Sequence, residues 1–289
     1  MTRYAILTNP VSGKMSVDQK RSALAEAAEI LNSEIHGLDT ATRDDFMQCA
    51  RELADHCDVL VAAGGDGTIS DVINAINSEQ TAVAFLPLGS GNAMRYALGY
   101  RGNLADIAIR IRDGRIHEYD LVHCDGKQRA FMVAVGIDST VLRYRDQYLS
   151  QGATGFKVYL RAFLSSYFGG YTRPNAEFVI DGSTFTVKKL LTLAVVKQPY
   201  YGYGMKIVPK ARFDDGNLHI LCVTSDMIST FLGAATSFAF DNPIGKYYTG
   251  QRLTVNLEHP LVLQIDGNKG WASKGFTFEV IPRALKIRC

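Results

Sequence analysis

Apolar residues follow two alternating rhythms over the first 120 positions. Short unbroken runs at Tyr4–Thr8, Val59–Ala63 and Thr81–Leu86 read as strands, because a strand covered on both faces has no polar side to show. Ser22–Leu31 and Arg43–Asp55 have helical spacing. So does Thr68–Ile76, with Ile69, Val72, Ile73 and Ile76 on one face, and a further helix is expected from Asn92. Strands alternating with helices at this interval predict a doubly wound α/β domain on a mostly parallel sheet.

The rhythm changes after about Asp120. Phe131–Ile137, Glu177–Asp181, Phe185–Val196, Leu218–Thr224, Arg252–Leu257, Leu261–Asp266 and Phe276–Ile281 read as strands between Gly, Asn, Asp or Pro turns. Only Thr154–Phe168 and Met227–Phe240 have helical spacing here. Many strands at short spacing predict a β-rich sandwich or barrel. The expected organisation is an α/β domain over 1–120 and a β-sandwich domain over 121–281, with the last strand, about 282–289, returning to the first domain. No internal repeat or low-complexity linker is visible. In two-lobed chains, sites often lie between the lobes.

Composition narrows the function classes. The 289 residues carry 31 basic and 29 acidic side chains, a net charge of +2, which lacks the cationic excess of a polybasic nucleic-acid binder. Five cysteines without a C-x-x-C pair exclude a disulfide scaffold and a zinc ribbon and suit a reducing compartment. MTRYAILTNP has no apolar core of signal-peptide length before Pro10. The long uncharged run Met227 to Phe240 is shorter than the roughly 20 residues that span a bilayer. A cytoplasmic protein with no transmembrane segment is expected, and the six histidines have no metal-ligand spacing.

Three glycine-rich turns fall where strands of the first domain end, the place where open α/β sheets bind ligands. They are Asn9-Pro10-Val11-Ser12-Gly13 with Lys14, Gly64-Gly65-Asp66-Gly67-Thr68, and Pro87-Leu88-Gly89-Ser90-Gly91-Asn92. Missing Cβ atoms let backbone N–H groups approach a phosphate, and the following helix adds its positive end. One such turn alone reads as a tight connection; three in one domain read as a phosphate site. They match neither G-x-x-x-x-G-K-[ST] nor G-x-G-x-x-G. Asp66 inside the second turn would repel a bare phosphate, which implies Mg²⁺ with a nucleoside triphosphate. It also suits a helix N-cap, and the roles are compatible.

In this context Gly64–Thr68 resembles the G-G-D-G-T signature of the diacylglycerol kinase catalytic-domain family, shared with sphingosine and ceramide kinases and more distantly with NAD kinases. Asn9–Lys14 is similar to its N-P-x-S-G-K, and Pro87–Asn92 to its P-x-G-[ST]-x-N. The resemblance continues through Gly204–Ala211, Asp215-Gly216-Asn217-Leu218 and Asp266-Gly267, in family order over essentially the whole chain. It implies ATP-dependent phosphorylation of a lipid hydroxyl by an NAD kinase-like α/β lobe with a β-sandwich lobe, ATP lying between them. Carried over, Asn9, Pro10, Val11, Ser12, Gly13, Thr40, Gly64, Gly65, Asp66, Gly67, Thr68, Ile69, Ser70 and Ser90 would bind the nucleotide. Arg212, Asp215 and Asn217 would hold a structural Mg²⁺, partly through main-chain carbonyls; by sequence alone Asp215-Gly216 reads equally as a β-turn.

The departures are specific. Ser70-Asp71 replaces the usual Asn-Glu, Asn92-Ala93 the usual N-D, and Asp266-Gly267-Asn268 the usual D-G-E. That Glu is the family's general base, and an amide cannot accept a proton at neutral pH. Asp66 or Asp266 then takes the role with Asn268 beside it, or activity falls; losing a base typically costs about 10²–10⁴-fold. The three are the catalytic candidates. A catalytically weak nucleotide- or lipid-binding regulator and a kinase of a soluble hydroxylated metabolite stay open beside the lipid kinase, as does a homodimer. Thr154–Tyr171 and Met227–Phe240 are aromatic-rich and would either meet lipid at a membrane surface, as in an acyl groove, or pack as core helices.

Overall fold

A computed structural model describes residues 2–78, 80–153, 156–169, 171–226, 229–230, 233, 236–237 and 242–289. Most of the expected helix Met227–Phe240, and the first residues of Thr154–Phe168, lie outside the described residues. The chain divides into two compact units. Unit 1 comprises the chain up to Asp120 with Pro282–Cys289, and unit 2 is Leu121–Ile281.

Unit 1 is the α/β half. Strands β1 (Tyr4–Thr8), β2 (Ile35–His36), β3 (Val59–Gly64) and β4 (Ala82–Pro87) lie in the order β2-β1-β3-β4, all parallel, with Ile6 opposite Ile35 and Val61, and Val61 opposite Ala84. Every residue of β3 and β4 is buried, as the unbroken apolar runs require. Ile287, near the C-terminus, pairs in parallel with Val83. Helix α1 (Val17–Leu31) begins before the apolar spacing does, because Ser16 and Gln19 form a capping box that starts it. Thr42 with Asp45 starts α2 (Arg43–Ala54) in the same way. Gly65, without a side-chain cap, precedes α3 (Asp66–Ala75), and α4 is Ala93–Ala97. An unexpected helix, α5 (Leu104–Asp113), is capped by Asn103 with Asp106.

Unit 2 is antiparallel, with β5 (Ile116–Cys124) entering it and pairing with β6 (Gln128–Ala130), and β11 (Tyr200–Gly202) pairing with β12 (Met205–Lys206). Strand β7 (Met132–Gly136) lies between β10 (Thr192–Val196) and β15 (Arg252–Ile265), with β13 (Leu218–Val223) and β14 (Lys246–Gly250) beyond β10. Strand β15 also pairs with β8 (Ala176–Ile180) and with β16 (Asn268–Arg288), whose C-terminal part belongs to unit 1. Inward residues such as Phe178, Val195, Leu253, Phe276 and Phe278 form its core.

Three elements differ from expectation here. Phe185–Val196 is two strands, β9 (Ser183–Val187) and β10, because Lys189 takes a left-handed conformation (φ 53°) between them. Arg252–Leu257 and Leu261–Asp266 merge into β15, where Pro260 falls in a register shift that spares it a ladder bond. Helix α6 (Ile137–Ser150) was not expected, since its buried residues Ile137, Asp138, Leu142 and Tyr148 give no clear apolar stripe. Gly136 starts it at φ 142°, with Thr192 Cα 2.7 Å from where a Cβ would lie. Helix α7 (Phe156–Phe168) packs on α6 through Val158 and Ala162.

Candidate active site

Unit 1 brings the three glycine turns into contact. A Cβ on Gly13 would meet Leu88 O at 2.7 Å, and one on Gly89 would meet Gly65 Cα at 2.6 Å, so turns one and two both press backbone against turn three. The amides of Leu88 and Gly89 donate to Gly64 O at 2.8 and 3.1 Å. Gly65 itself has φ −99°, and an added Cβ there would touch only Gly89 Cα at 3.5 Å. Close approach at Gly89, rather than a positive φ at Gly65, therefore demands the missing side chains.

The first turn is tied by its own side chains: Val11 N–H donates to Asn9 Oδ1 (3.0 Å) and Ser12 Oγ to Asn9 O (3.0 Å). Beneath it lies a residue outside the sequence assignment. Lys20 is fully buried, and its Nζ donates to Asn9 O (2.9 Å) and Pro10 O (2.5 Å). Burial lowers its pKa from the usual lysine range. The signal was present in the sequence: Lys20, Leu24, Ala27 and Leu31 form one buried stripe of α1, with a cation among apolar residues. Thr40 Oγ1 donates to Gly37 O (2.7 Å), closing a loop of its own.

Asp66 joins the second and third turns. Its oxygens accept from Ala93 N–H (2.9 Å) and Met94 N–H (3.0 Å), so it caps α4 while starting α3. Burial raises its pKa, opposed by these two N–H bonds. Ile69 and Ser70 are fully buried, and Ser90 is exposed. Asp71, in place of the family's Glu, is bound by Arg43 of α2 at 2.6 Å. Thr8 Oγ1, Ser70 Oγ and Asn92 Oδ1 are buried without a hydrogen-bond partner. The uncapped N-terminus of α3, the bare glycine backbone and the two unpartnered hydroxyls, which can donate, fit an anionic phosphate ligand, whereas Asn92 Oδ1 can only accept. No group of three or more His, Cys, Asp or Glu side chains suited to a metal occurs among the described residues.

In unit 2, Asp266 (φ 46°) and Gly267 (φ 85°) form the two-residue turn between β15 and β16, as Asp-Gly favours. The Asp266 carboxylate accepts from Phe131 N–H (3.1 Å) and Met132 N–H (2.9 Å), anchoring the hairpin to β7. Those bonds give Asp266 a backbone-holding task. Asn268, half-buried, opens β16 opposite Ile265.

The Asp215 turn contains a second residue that the sequence assignment omitted. Lys197, fully buried at the end of β10, donates from Nζ to Asp215 Oδ1 (2.9 Å) and Asn217 O (2.5 Å). Its own N–H donates to Phe131 O (2.8 Å), so Phe131 links this turn to Asp266. Asp215 Oδ1 also accepts from Asn217 N–H (3.2 Å), and Oδ2 lies 2.9 Å from His219 Nε2. Burial pushes the Asp215 carboxyl up, but Lys197 and the turn amide outweigh it and hold its pKa below the usual range. The Arg212 side chain turns outward to Asp214 (3.4 Å).

Unit 2 also contains a partly open cavity of about 350 Å³ beside α6, α7, β10 and β13. Ile137, Leu160, Phe163, Ala194 and Leu221 are among its apolar lining. Asp138 is a buried carboxyl in this wall, bonded by Thr192 Oγ1 and by Tyr201 OH (2.9 Å). Burial raises its pKa, against the pull of the two hydroxyls.

Comparison with known proteins agrees over nearly all of the chain. Residues 3–124 match the diacylglycerol kinase catalytic domain, and residues 131–289 match the YegS C-terminal NAD kinase beta sandwich-like domain. The diacylglycerol kinase of Bacillus subtilis (strain 168) is 26% identical over 282 residues, covering 93% of this chain and 91% of that protein. One from Staphylococcus aureus (strain bovine RF122 / ET3-1) is 25% identical over 283 residues, covering 93% and 86%. Among solved structures, a putative diacylglycerol kinase from Bacillus anthracis str. Sterne superposes with TM-score 0.78 at 18% identity, covering 99% and 97% of the two chains. An NAD kinase from Archaeoglobus fulgidus in complex with ATP superposes with TM-score 0.53 at 12% identity, covering 99% and 93%. With both halves matched in order, this chain belongs to the diacylglycerol kinase catalytic-domain family and is a phosphotransferase of the lipid-kinase type.

Proposed function

We propose that the protein transfers the γ-phosphate of ATP to the hydroxyl of a lipid. The observation that carries the lipid part is the unit 2 cavity, lined mainly by apolar residues with one buried carboxyl in its wall. Its volume falls within the roughly 300–1,000 Å³ of small-molecule sites. An apolar chain gains by leaving water for such a cavity, while Asp138 offers a polar group to a hydroxylated head. Helix α7 supplies Tyr159, Leu160 and Phe163 to the lining and leaves Phe168 71% exposed, which suits a protein that meets its substrate at a membrane surface.

The phosphates of ATP are assigned to the converging turns of unit 1, through backbone N–H groups and the start of α3. Lys20 binds the Asn9 and Pro10 carbonyls of the first turn and so sets a buried cation beneath it. Mg²⁺ would arrive on the nucleotide and neutralise charge on the transferring group. Asp66 keeps turns two and three in register and is the unit 1 carboxylate nearest this function.

The test is a radiolabelled ATP assay against total lipid extract in mixed micelles. A labelled lipid product is expected, and Ala194→Phe, which fills the cavity, should lower its yield more than tenfold with ATP affinity unchanged. Label confined to water-soluble products would overturn the lipid reading. Asn268→Glu restores the carboxylate usual in the family and should raise kcat, by up to about 10²-fold. A fall in kcat there would return the base role to another group.

A further inference from the structure

The family resemblance places a divalent cation at the Asp215 turn, held by Asp215 and by main-chain carbonyls at Arg212 and Asn217. The residues present do not fit one. Two of those oxygens, Asp215 Oδ1 and Asn217 O, already receive the Lys197 ammonium at 2.9 and 2.5 Å. The other Asp215 oxygen faces His219 Nε2 at 2.9 Å. Mg²⁺ needs near-octahedral oxygen contacts at about 2.1 Å. Here it would share its oxygens with an ammonium and sit against a like charge.

We infer that Lys197 is a built-in replacement for the structural metal ion. A lysine ammonium is a compact point charge with three donors, and a buried strand end holds it rigidly. It neutralises Asp215, satisfies the Asn217 carbonyl and closes the turn between Ala211 and Leu218 without a diffusible ion. Covalent attachment removes the dependence on ion concentration that a bound metal brings. The inference rests on unit 2 geometry alone and is independent of the phosphate acceptor.

The experiment is thermal unfolding of the full-length, nucleotide-free protein, followed by the fluorescence of Trp271, the only tryptophan, which lies in β16. Wild type should unfold at the same temperature, within about 1 °C, in EDTA and in 10 mM MgCl₂ or CaCl₂. Lys197→Met, which frees the Asp215 carboxylate and the carbonyl, should unfold several degrees lower and recover part of that loss as Mg²⁺ or Ca²⁺ is added. A wild-type midpoint that rises with either cation, or a variant that ignores both, would overturn the inference. Should Lys197→Met fail to fold, Mn²⁺ titration by paramagnetic resonance replaces it. Wild type and Asp215→Asn should then give the same isotherm, and weaker binding by Asp215→Asn would show that a metal does use the turn.

Discussion

Two turns of this molecule, one in each unit, are built on a fully buried lysine, and they solve the problem differently. Lys20 in unit 1 meets the carbonyls of Asn9 and Pro10. Lys197 in unit 2 meets one carbonyl and the carboxylate of Asp215. A carbonyl offers a dipole to offset the lost hydration of an ammonium, whereas a carboxylate offers a full charge. Lys20 accordingly loses proton affinity on burial. The contrast suits the tasks assigned to the two turns. An anion-binding turn gains from a cation beneath it that no internal carboxylate neutralises, while a structural turn gains from a closed pair.

The largest expected effect breaks the closed pair. Lys197→Met should cost about 3 kcal/mol, the lower end for a buried pair because Asp215 keeps some exposure and its His219 contact. Urea unfolding read by Trp271 measures it. Removing both charges, as Lys197→Met with Asp215→Asn, should recover most of the loss, since a missing pair costs far less than an orphaned carboxylate. If the double variant is as unstable as the single, charge neutralisation is not what closes this turn.

Lys20→Met should cost less, about 1–2 kcal/mol, because only two carbonyls lose their donor. Its main effect should fall on binding: ATP affinity measured by calorimetry drops about tenfold, equivalent to 1.4 kcal/mol. Lys197→Met should leave that affinity within about twofold. Equal losses in both would erase the functional side of the comparison.

The smallest effect is a pH dependence. The folded pKa of Lys20 lies below its unfolded value of about 10.4, so between the two the unfolded chain binds more protons and stability rises with pH. Wild type should therefore gain on Lys20→Met as pH rises from 8 toward 10 in urea titrations. A gap that narrows would mean that the folded state holds the proton more tightly.

Local chemistry made much of this protein readable from its sequence. The apolar runs of β3 and β4 are unbroken because both faces are buried, and the turns that end β1, β3 and β4 announce themselves by glycine and proline. Family motifs occupied those turns, so the kinase assignment needed no coordinates. Helix α6 stayed hidden because its buried positions include Asp138, and β15 because Pro260 sits in a register shift. What only the tertiary structure decided is which partner each polar group takes. Asp66 and Asp266 look like catalytic carboxylates in sequence, yet each is bound by two backbone amides from a distant segment. Lys197 lies 18 residues from Asp215 and has no spacing that marks it as a counter-ion. Hydrophobic periodicity is a property of neighbours along the chain. The pairing of a buried charge depends on which strands the fold lays side by side, and one sequence read along its length does not contain that distance.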